Sequence, residues 1–600
     1  MPISRTRKIA LIISGLLLIC TFVFIIGLAL LYSALRGREP AIHDNSVLVL
    51  RVQGELPDYV PEDPLRRMFG GDDSSLTNLL TQIKKAKVDK RIGALLLEIQ
   101  WSGAGWAKAE EIRAAITDFR ASGKPIYAYM EVGANKEYYI ATACDKVFVA
   151  PPGDLFINGL AADVMFYRGS LDKLGIYPDV YQIGKYKNAP DQYTRKEMSD
   201  AHREVINSLL DDLFNRIIET IAKARNKSPE DVRAMIDNAP FSAAQAKALG
   251  LIDGANYRDE VEGELKKRLG YKDSDELHIA KASDYRQVKP ESLGLNTGER
   301  IAIIYASGEI TSGQSGNGGP FGGDQTVGSD TIAKAIKDAG DDKTIRAIVL
   351  RVDSPGGSSY ASDLIWHAAE NAKAKKPLVV SMSDLAASGG YYIAMNANKI
   401  IAEPSTFTGS IGVFGGKPVV RGFYDWLGVS NEYVMRGKNA GLFRETEKFT
   451  PEERAKFEAL INSTYWDDFV PKAAKGRNRD IEYIHSIAQG RVWTGAQART
   501  NGLVDEFGGL ERAIEVAKAL AHIPAQKSVR RVILPYPRTI LQTILGGNED
   551  QAESVKAQQQ RAVFEALPED VRRSLKYAAI MDRMKRGETM ALMPFDLRIK

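Results

Sequence analysis

The sequence predicts an α/β chain: one N-terminal transmembrane helix, then two tandem copies of a mainly parallel-sheet unit. Three features of the 600 residues carry this expectation. Segments recur in the same order about 250 residues apart, short Val/Ile/Leu runs alternate with amphipathic stretches, and one long uncharged apolar run stands near the start. Alternating strand-like and helix-like segments are the rhythm of βαβ steps, which build parallel sheets with helices packed outside.

Residues 1–8 are the expected cytosolic end. They carry Arg5, Arg7 and Lys8, and a basic flank stays in the cytosol. The run from Ile9 to Tyr32 is about 24 residues long, or about 36 Å as a helix, enough to cross a hydrocarbon core of ~30 Å. It is long for a signal-peptide core, and no clear small-x-small site follows it. It therefore reads as an uncleaved anchor over 9–32, with the lipid bilayer as a partner and the remaining chain outside the cytosol.

The two copies are expected over 45–285 and 300–530, with a junction near Gln287–Glu299. Val47-Leu-Val-Leu-Arg-Val-Gln-Gly54 matches Ile301-Ala-Ile-Ile-Tyr-Ala-Ser-Gly308, and Leu95-Leu-Leu-Glu-Ile matches Ile348-Val-Leu-Arg-Val. Asp145-Lys-Val-Phe-Val-Ala-Pro151 matches Asn398-Lys-Ile-Ile-Ala-Glu-Pro404. This period is far too long for a solenoid, so it marks domain duplication. In the second copy, Ile301–Tyr305, Ala347–Val352 and Leu378–Ser381 read as buried strands. Thr331–Ala339, Tyr360–Ala374 and Ala386–Asn396 read as helices. Long helices over Ser199–Ala224 and Pro451–Ala473 correspond, each starting at a capping-type residue, Ser199 or Thr450. Ser312–Asp330 is Gly-rich and reads as a mobile loop or flap. Residues 531–600 form an extension, with a polar Gln551–Gln560 stretch expected as an exposed helix and a basic end at Met584-Lys-Arg expected as a solvated tail.

Composition bounds the function. With 44% hydrophobic and 26% charged residues the chain is ordinary globular protein, and a net charge of +4 gives no reason to propose nucleic acid. Cys20 lies in the anchor and Cys144 in the folded part, so they form no pair. The six histidines are scattered and no H-E-x-x-H or Cys pair exists, so neither a metal nor another cofactor is expected.

Two constellations carry chemistry. Asp353-Ser-Pro-Gly-Gly357 follows a strand, where a Pro-Gly-Gly turn can aim backbone N–H groups into the crevice at the strand ends. Ala386-Ala-Ser-Gly-Gly390 places Ser388 at a helix start with the Gly389 amide beside it. Taken singly, the first is an ordinary turn and the second an N-cap. The first copy has lost both together: it has Asn135 where the second has Ser388, and Gln100-Trp-Ser-Gly-Ala-Gly in place of the Pro-Gly-Gly turn. Ser388 needs a base. His367 sits mid-helix beside Trp366 without an orienting acid and reads as structural. A lysine is the better candidate: Lys185 or Lys187 in Gly184-Lys-Tyr-Lys187-Asn-Ala, or Lys438 in Arg436-Gly-Lys438-Asn-Ala. Such a lysine must be neutral near pH 7, and lowering its pKa by ~3 units costs about 4 kcal/mol, which requires burial.

Residues 45–530 resemble the long, two-domain form of the bacterial signal peptide peptidase A family, also called protease IV. The resemblance lies in the anchor, Gly-Lys-Tyr-Lys187, Asp-Ser-Pro-Gly-Gly357, Ala-Ala-Ser388-Gly-Gly-Tyr and Pro404-Ser-Thr-Phe-Thr-Gly-Ser410-Ile-Gly. It implies tandem Clp-protease/crotonase-like domains and a serine endopeptidase with a Ser-Lys dyad that degrades cleaved signal peptides. It further implies Ser388 as nucleophile, Lys187 as general base, and Gly389 with Gly356 or Gly357 as oxyanion amides. Ser410 is implied as the hydroxyl that holds the lysine, and Lys438 remains an alternative base. A dome-like homotetramer is implied, at a bacterial inner membrane. Two other classes stay open: a crotonase-type acyl-CoA enzyme, which would use the amides without Ser388, and a non-catalytic membrane scaffold.

Overall fold

A computed structural model describes residues 41–60, 74–316, 325–536, 588–593 and 598–599, with positions 15, 21–23 and 26. The expected anchor over 9–32, the Gln551–Gln560 stretch and Met584-Lys-Arg fall wholly or almost wholly outside these residues. Among the described residues no helix is long and apolar enough to cross a membrane.

Two mainly parallel sheets share one six-strand order. The first runs Gly254–Ala255, Lys146–Val149, Ile126–Met130, Ile92–Ser102, Ser46–Gly54, Ile279–Lys281. The second runs Glu506–Phe507, Lys399–Ala402, Leu378–Ala387, Ile345–Ser354, Glu299–Ser307, Val529–Leu534. Helices cover both faces, so the central strands are apolar along nearly their whole length, as in Ala94–Leu97 and Ala347–Leu350.

Each sheet admits one buried charge in its central strand, and each is paired. Glu98 accepts hydrogen bonds from Arg51 at 2.8 Å and Arg258 at 2.5 Å. Arg351 is buried and reaches out of the second sheet into the first unit. Its guanidinium donates to Asp58 at 2.8 Å and to Glu111, and also to Ser381 and Ser383. Beside it Lys108 bonds Asp353 at 2.8 Å.

The same interface caps two helices reciprocally. Helix Trp106–Arg120 of the first unit starts at Gly105, which has no capping side chain. Asp384 of the second unit instead accepts from the Gly105 and Lys108 amides, at 2.9 and 3.0 Å. Helix Leu510–Leu520 of the second unit starts at Gly509, and Glu111 of the first unit accepts from the Leu510 amide at 2.9 Å. A Cβ on either glycine would lie 2.1–2.4 Å from the capping carboxylate, so only glycine leaves room for it.

A third, smaller sheet ties the units together. Strand Tyr177–Ile183 pairs antiparallel with Val413–Val419 over seven residues, from Val413 opposite Ile183 to Val419 opposite Tyr177. Val413–Val419 also borders Met590–Leu592, which borders Gly356–Ser358.

Several elements differ from the sequence expectation. Ala386–Asn396 is not one helix: strand Leu378–Ala387 continues through Ala387, and only Gly389–Tyr392 is helical. Parallel pairing of Leu385–Ala387 with Phe407–Gly409 overrides the helix propensity of the alanines. The Pro451–Ala473 helix is Pro451–Ser463, a π-turn at Thr464–Phe469, then Val470–Arg477. The Gly-rich middle of the expected loop, residues 317–324, lies outside the described residues; its end is ordered differently than expected, because strand Thr326–Gly328 pairs with Glu309–Thr311 and a helix starts at Ser329.

Replacing Arg351 with Met leaves Asp58 and Glu111 as buried carboxylates without their cation. The expected loss of stability in urea unfolding is about 3–5 kcal/mol. A loss below about 1 kcal/mol would mean that the network does not hold the units together.

Candidate active site

The site forms where the third sheet meets the second. Strand Leu378–Ala387 ends against Phe407–Gly409, with Ala387 opposite Gly409 and the Ser388 amide donating to Gly409 O at 2.8 Å. Ser388 then turns sharply into helix Gly389–Tyr392 with φ 54 and ψ −113, a conformation that costs a non-glycine residue energy. Although it stands at the N-cap, its side chain makes no capping bond. The hydroxyl instead faces the Lys187 amine, 2.7 Å from Ser388 Oγ to Lys187 Nζ.

Lys187 arrives from the other unit. The chain leaves strand Tyr177–Ile183, turns at Gly184, and is clamped by the second unit, with the Tyr186 amide donating to Gln489 O at 2.9 Å. Gly490 packs directly on Lys187; a Cβ there would lie 2.5 Å from Lys187 Cα. The Lys187 amine also donates to Ser410 Oγ at 3.0 Å and Ser410 O at 3.2 Å. Ser410 is itself held at φ 50, its amide bonded to Arg491 O at 2.7 Å. Ser388, Lys187 and Ser410 are each 0% exposed. Burial holds the Lys187 amine well below its ordinary value, and among the described residues no opposing charge offsets it.

The two motif constellations meet here. Gly356 has φ 98, and its backbone lies so close to the helix start that a Cβ on it would be 2.6 Å from Gly389 N. The Pro-Gly-Gly turn and the Gly389 amide therefore flank one crevice, as spacing in the sequence suggests they could. Gly357, at φ 153, packs on Ile310.

The other candidate bases lie elsewhere. Lys185 is exposed and contacts Tyr186 and Glu204. Lys438 is exposed in the segment after helix Arg421–Leu427. His367 is exposed on its helix and bonds Asn371. In the first unit, Asn135 is a half-buried helix residue whose amide donates to Gly159 O at 2.8 Å. Cys144 is a free, buried thiol pushed up to about 12 by burial.

Three groups escape the motif reading: the ion network around Arg351, the cross-unit strand that carries Lys187, and the C-terminal strand beside Gly356. Only the first leaves a signal, a charged residue inside each of two otherwise apolar strand runs.

An α/β scaffold that sets a strained serine against a desolvated lysine amine and a crevice lined by glycine amides has the parts of a serine hydrolase. Residues 118–272 and 370–524, together just over half of the chain, each match Peptidase family S49. Serine protease SPPA, chloroplastic, of Arabidopsis thaliana is 39% identical over 512 residues, which cover 84% of this chain and 74% of that one. Protease 4 of Salmonella typhi is 33% identical over 523 residues, covering 84% and 82%. A protein of Enterococcus faecium assigned as a signal peptide peptidase SppA is 38% identical over 186 residues, covering 30% and 53%. The chain belongs to peptidase family S49 and is a serine peptidase, with the family's domain present twice.

The desolvated amine has a thermodynamic signature. Between its lowered value and the ordinary 10.5, the unfolded chain binds one proton more than the folded chain. Lys187 therefore costs stability at neutral pH, and the cost fades as pH rises toward 10.5. Lys187→Met is expected to raise the urea midpoint at pH 7 and to lose that advantage by about pH 10. An unchanged or lower midpoint at pH 7 would contradict a desolvated amine.

Proposed function

We propose that Ser388 is the nucleophile and Lys187 the general base of a membrane-anchored endopeptidase that degrades cleaved signal peptides. The observation that supports this most is the 2.7 Å approach of the Lys187 amine to Ser388 Oγ in a fully buried site. A neutral amine has two N–H donors and one lone pair. The donors go to Ser410 Oγ and Ser410 O, which leaves the lone pair for the Ser388 hydroxyl proton.

Ser388 Oγ attacks the substrate carbonyl while its proton passes to Lys187. The oxyanion is held by the Gly389 amide together with Gly356 or Gly357, each donor worth about 10²–10³ in rate. Lys187 hands its proton to the leaving amine, and water hydrolyses the acyl-enzyme. Each unit is read as a Clp-protease/crotonase-like domain, with boundaries 45–285 and 300–530. An acyl-CoA enzyme would need neither the strained Ser388 nor a lysine against it, and a scaffold would have no use for a desolvated amine. The signal-peptide substrate rests on the name of the Enterococcus faecium relative. The anchor over 9–32 rests on the apolar run and its basic flank.

Internal symmetry supports a homo-oligomer. Lys438 corresponds to Lys187, so residues just before it correspond to Tyr177–Ile183, the strand that pairs across units. In the second unit this segment forms no strand, and Val434 is 87% exposed. A second copy joined head-to-tail would pair it as the first unit's strand is paired, and the resemblance sets the number at four.

Ser388→Ala and Lys187→Ala are each expected to lower cleavage of an apolar peptide to background with the circular dichroism spectrum unchanged. Lys438→Ala should stay active; a dead Lys438→Ala beside an active Lys187→Ala would overturn the assignment. Activity should rise with pH along a limb set by the lowered Lys187, because only the neutral amine accepts the proton. Light scattering in detergent should give four times the 66.0 kDa of one chain, and Val434→Asp should reduce it. A monomeric parent protein would refute the homo-oligomer.

A further inference from the structure

The strand that leads to Ser388 is irregular just before it. Strand Ile345–Ser354 advances two residues from Val352 to Ser354, while Leu378–Ala387 advances four, from Met382 to Ala386. Residues 383–385 therefore form a bulge. It lies where the strand changes partner, from Lys399–Ala402 to Phe407–Gly409. Bulges beside active sites re-aim the side chains that follow them. This one sets the direction from which the chain enters Ser388, whose φ of 54 persists only if its surroundings hold it.

Segment 405–410 holds this stretch along its length. Thr406 Oγ1 donates to Ser383 O at 2.8 Å, and Thr408 Oγ1 donates to Ala386 O at 2.7 Å, one on either side of the bulge. Gly409 O takes the Ser388 amide, and Ser410 takes the Lys187 amine. One segment thus touches the bulge, the nucleophile and the base. Its far end is tied at the Ser410 amide to Arg491 O. Its near end is tied by the first unit: Glu110, on helix Trp106–Arg120, accepts from the Ser405 amide at 3.0 Å and the Ser405 hydroxyl at 2.8 Å. Two bonds to one carboxylate fix both the position and the rotation of the segment's start. Lys108 of the same helix braces the opposite side of the bulge, through Asp353 and its bond to the Leu385 amide. Burial pushes the Glu110 carboxyl above its ordinary value, and the Ser405 bonds and Arg216 only partly offset this. Ionised Glu110 therefore costs stability at neutral pH, so its bonds to Ser405 align the segment rather than strengthen the fold.

We propose that Glu110 is a positioning residue for peptide hydrolysis: through Ser405 it sets segment 405–410, and with it the bulge that aims Ser388 and the hydroxyl that holds Lys187. This rests on the reading of Ser388 and Lys187 given above. The first unit then supplies the alignment of the nucleophile as well as the base. A residue acting in this way governs the chemical step and leaves substrate capture alone, because a misplacement of about 1 Å at the reacting atoms costs on the order of 10²-fold in rate.

The test measures kcat and KM for an apolar peptide with the full-length protein, beside its urea midpoint. Glu110→Ala is expected to lower kcat about 10- to 100-fold with KM within about twofold of the wild type. Glu110→Gln keeps an acceptor for Ser405, so its kcat should stay within about threefold and its urea midpoint at pH 7 should not fall. Ser405→Ala, a milder change that decides the matter if Glu110→Ala does not fold, should lower kcat with KM unchanged. The double variant Glu110→Ala/Ser405→Ala should be no slower than Glu110→Ala alone, because both act through one contact. Independent, additive losses would overturn the route through Ser405. A raised KM at constant kcat, or a wild-type kcat in Glu110→Ala and Ser405→Ala while Ser388→Ala is dead, overturns this inference and leaves the dyad standing. An active Ser388→Ala overturns the reading of Ser388 itself.

Discussion

The approach of Lys187 to Ser388 depends on one antiparallel pairing, Tyr177–Ile183 against Val413–Val419. Lys187 and Ser388 belong to different units and to segments 201 residues apart, so no local structure brings them together. The pairing does. It fixes the direction in which the chain leaves Ile183, and contacts with Gln489 and Gly490 then hold the Lys187 backbone against the second unit. A hydrogen bond of 2.7 Å tolerates little error in either partner, and a ladder of main-chain bonds is stiffer than side-chain packing alone.

The pairing is backed by buried charge. Buried ion pairs add little net stability, because desolvation offsets attraction, but removing one partner is costly. Arg351, Asp58, Glu111, Lys108, Asp353 and Asp384 therefore specify how the units meet more than they drive the meeting. The reciprocal caps act in the same way, since each unit ends a helix that the other must satisfy. Asp353 and Leu385 also connect this network to the site, because Asp353 accepts from the Leu385 amide three residues before Ser388. Duplication allowed the asymmetry. The two copies differ accordingly: Lys187 is buried against Ser388, while the first unit has Asn135 in place of a serine and Lys438 is exposed.

Much of this was legible in the sequence, and for physical reasons. Parallel strands covered on both faces must be apolar, so Leu95–Leu97 and Ile348–Leu350 announce themselves. A Pro-Gly-Gly turn and a serine between small residues are conspicuous, and their joint loss from one copy links them. Which lysine meets Ser388 was not legible from spacing alone: Lys185, Lys187 and Lys438 lie in similar sequence motifs, and only the fold buries Lys187 against Ser388. The end of strand Leu378–Ala387 was misread because its last residues favour helix locally while their partner, Phe407–Gly409, lies some twenty residues on. Met590–Leu592 is three residues long, too short for any periodicity to reveal, and its partners are more than 170 residues away.

The protonation state of Lys187 follows from what surrounds it. An ammonium could also satisfy Ser388 Oγ, Ser410 Oγ and Ser410 O, since it has three protons to donate, so hydrogen-bond counting alone does not decide. Solvation does. Deprotonating a lysine near neutral pH costs about 4 kcal/mol in water. An ion taken out of water without a counter-ion loses several kcal/mol even after relaxation, and three neutral acceptors recover only part of that. Arg351 and Lys108, equally buried, keep their charge because Asp58, Glu111 and Asp353 stand beside them. Among the described residues Lys187 has no such partner, and burial dominates its balance. The fold thus separates two kinds of buried basic group: paired cations that lock the units, and the Lys187 amine, desolvated 2.7 Å from Ser388 Oγ.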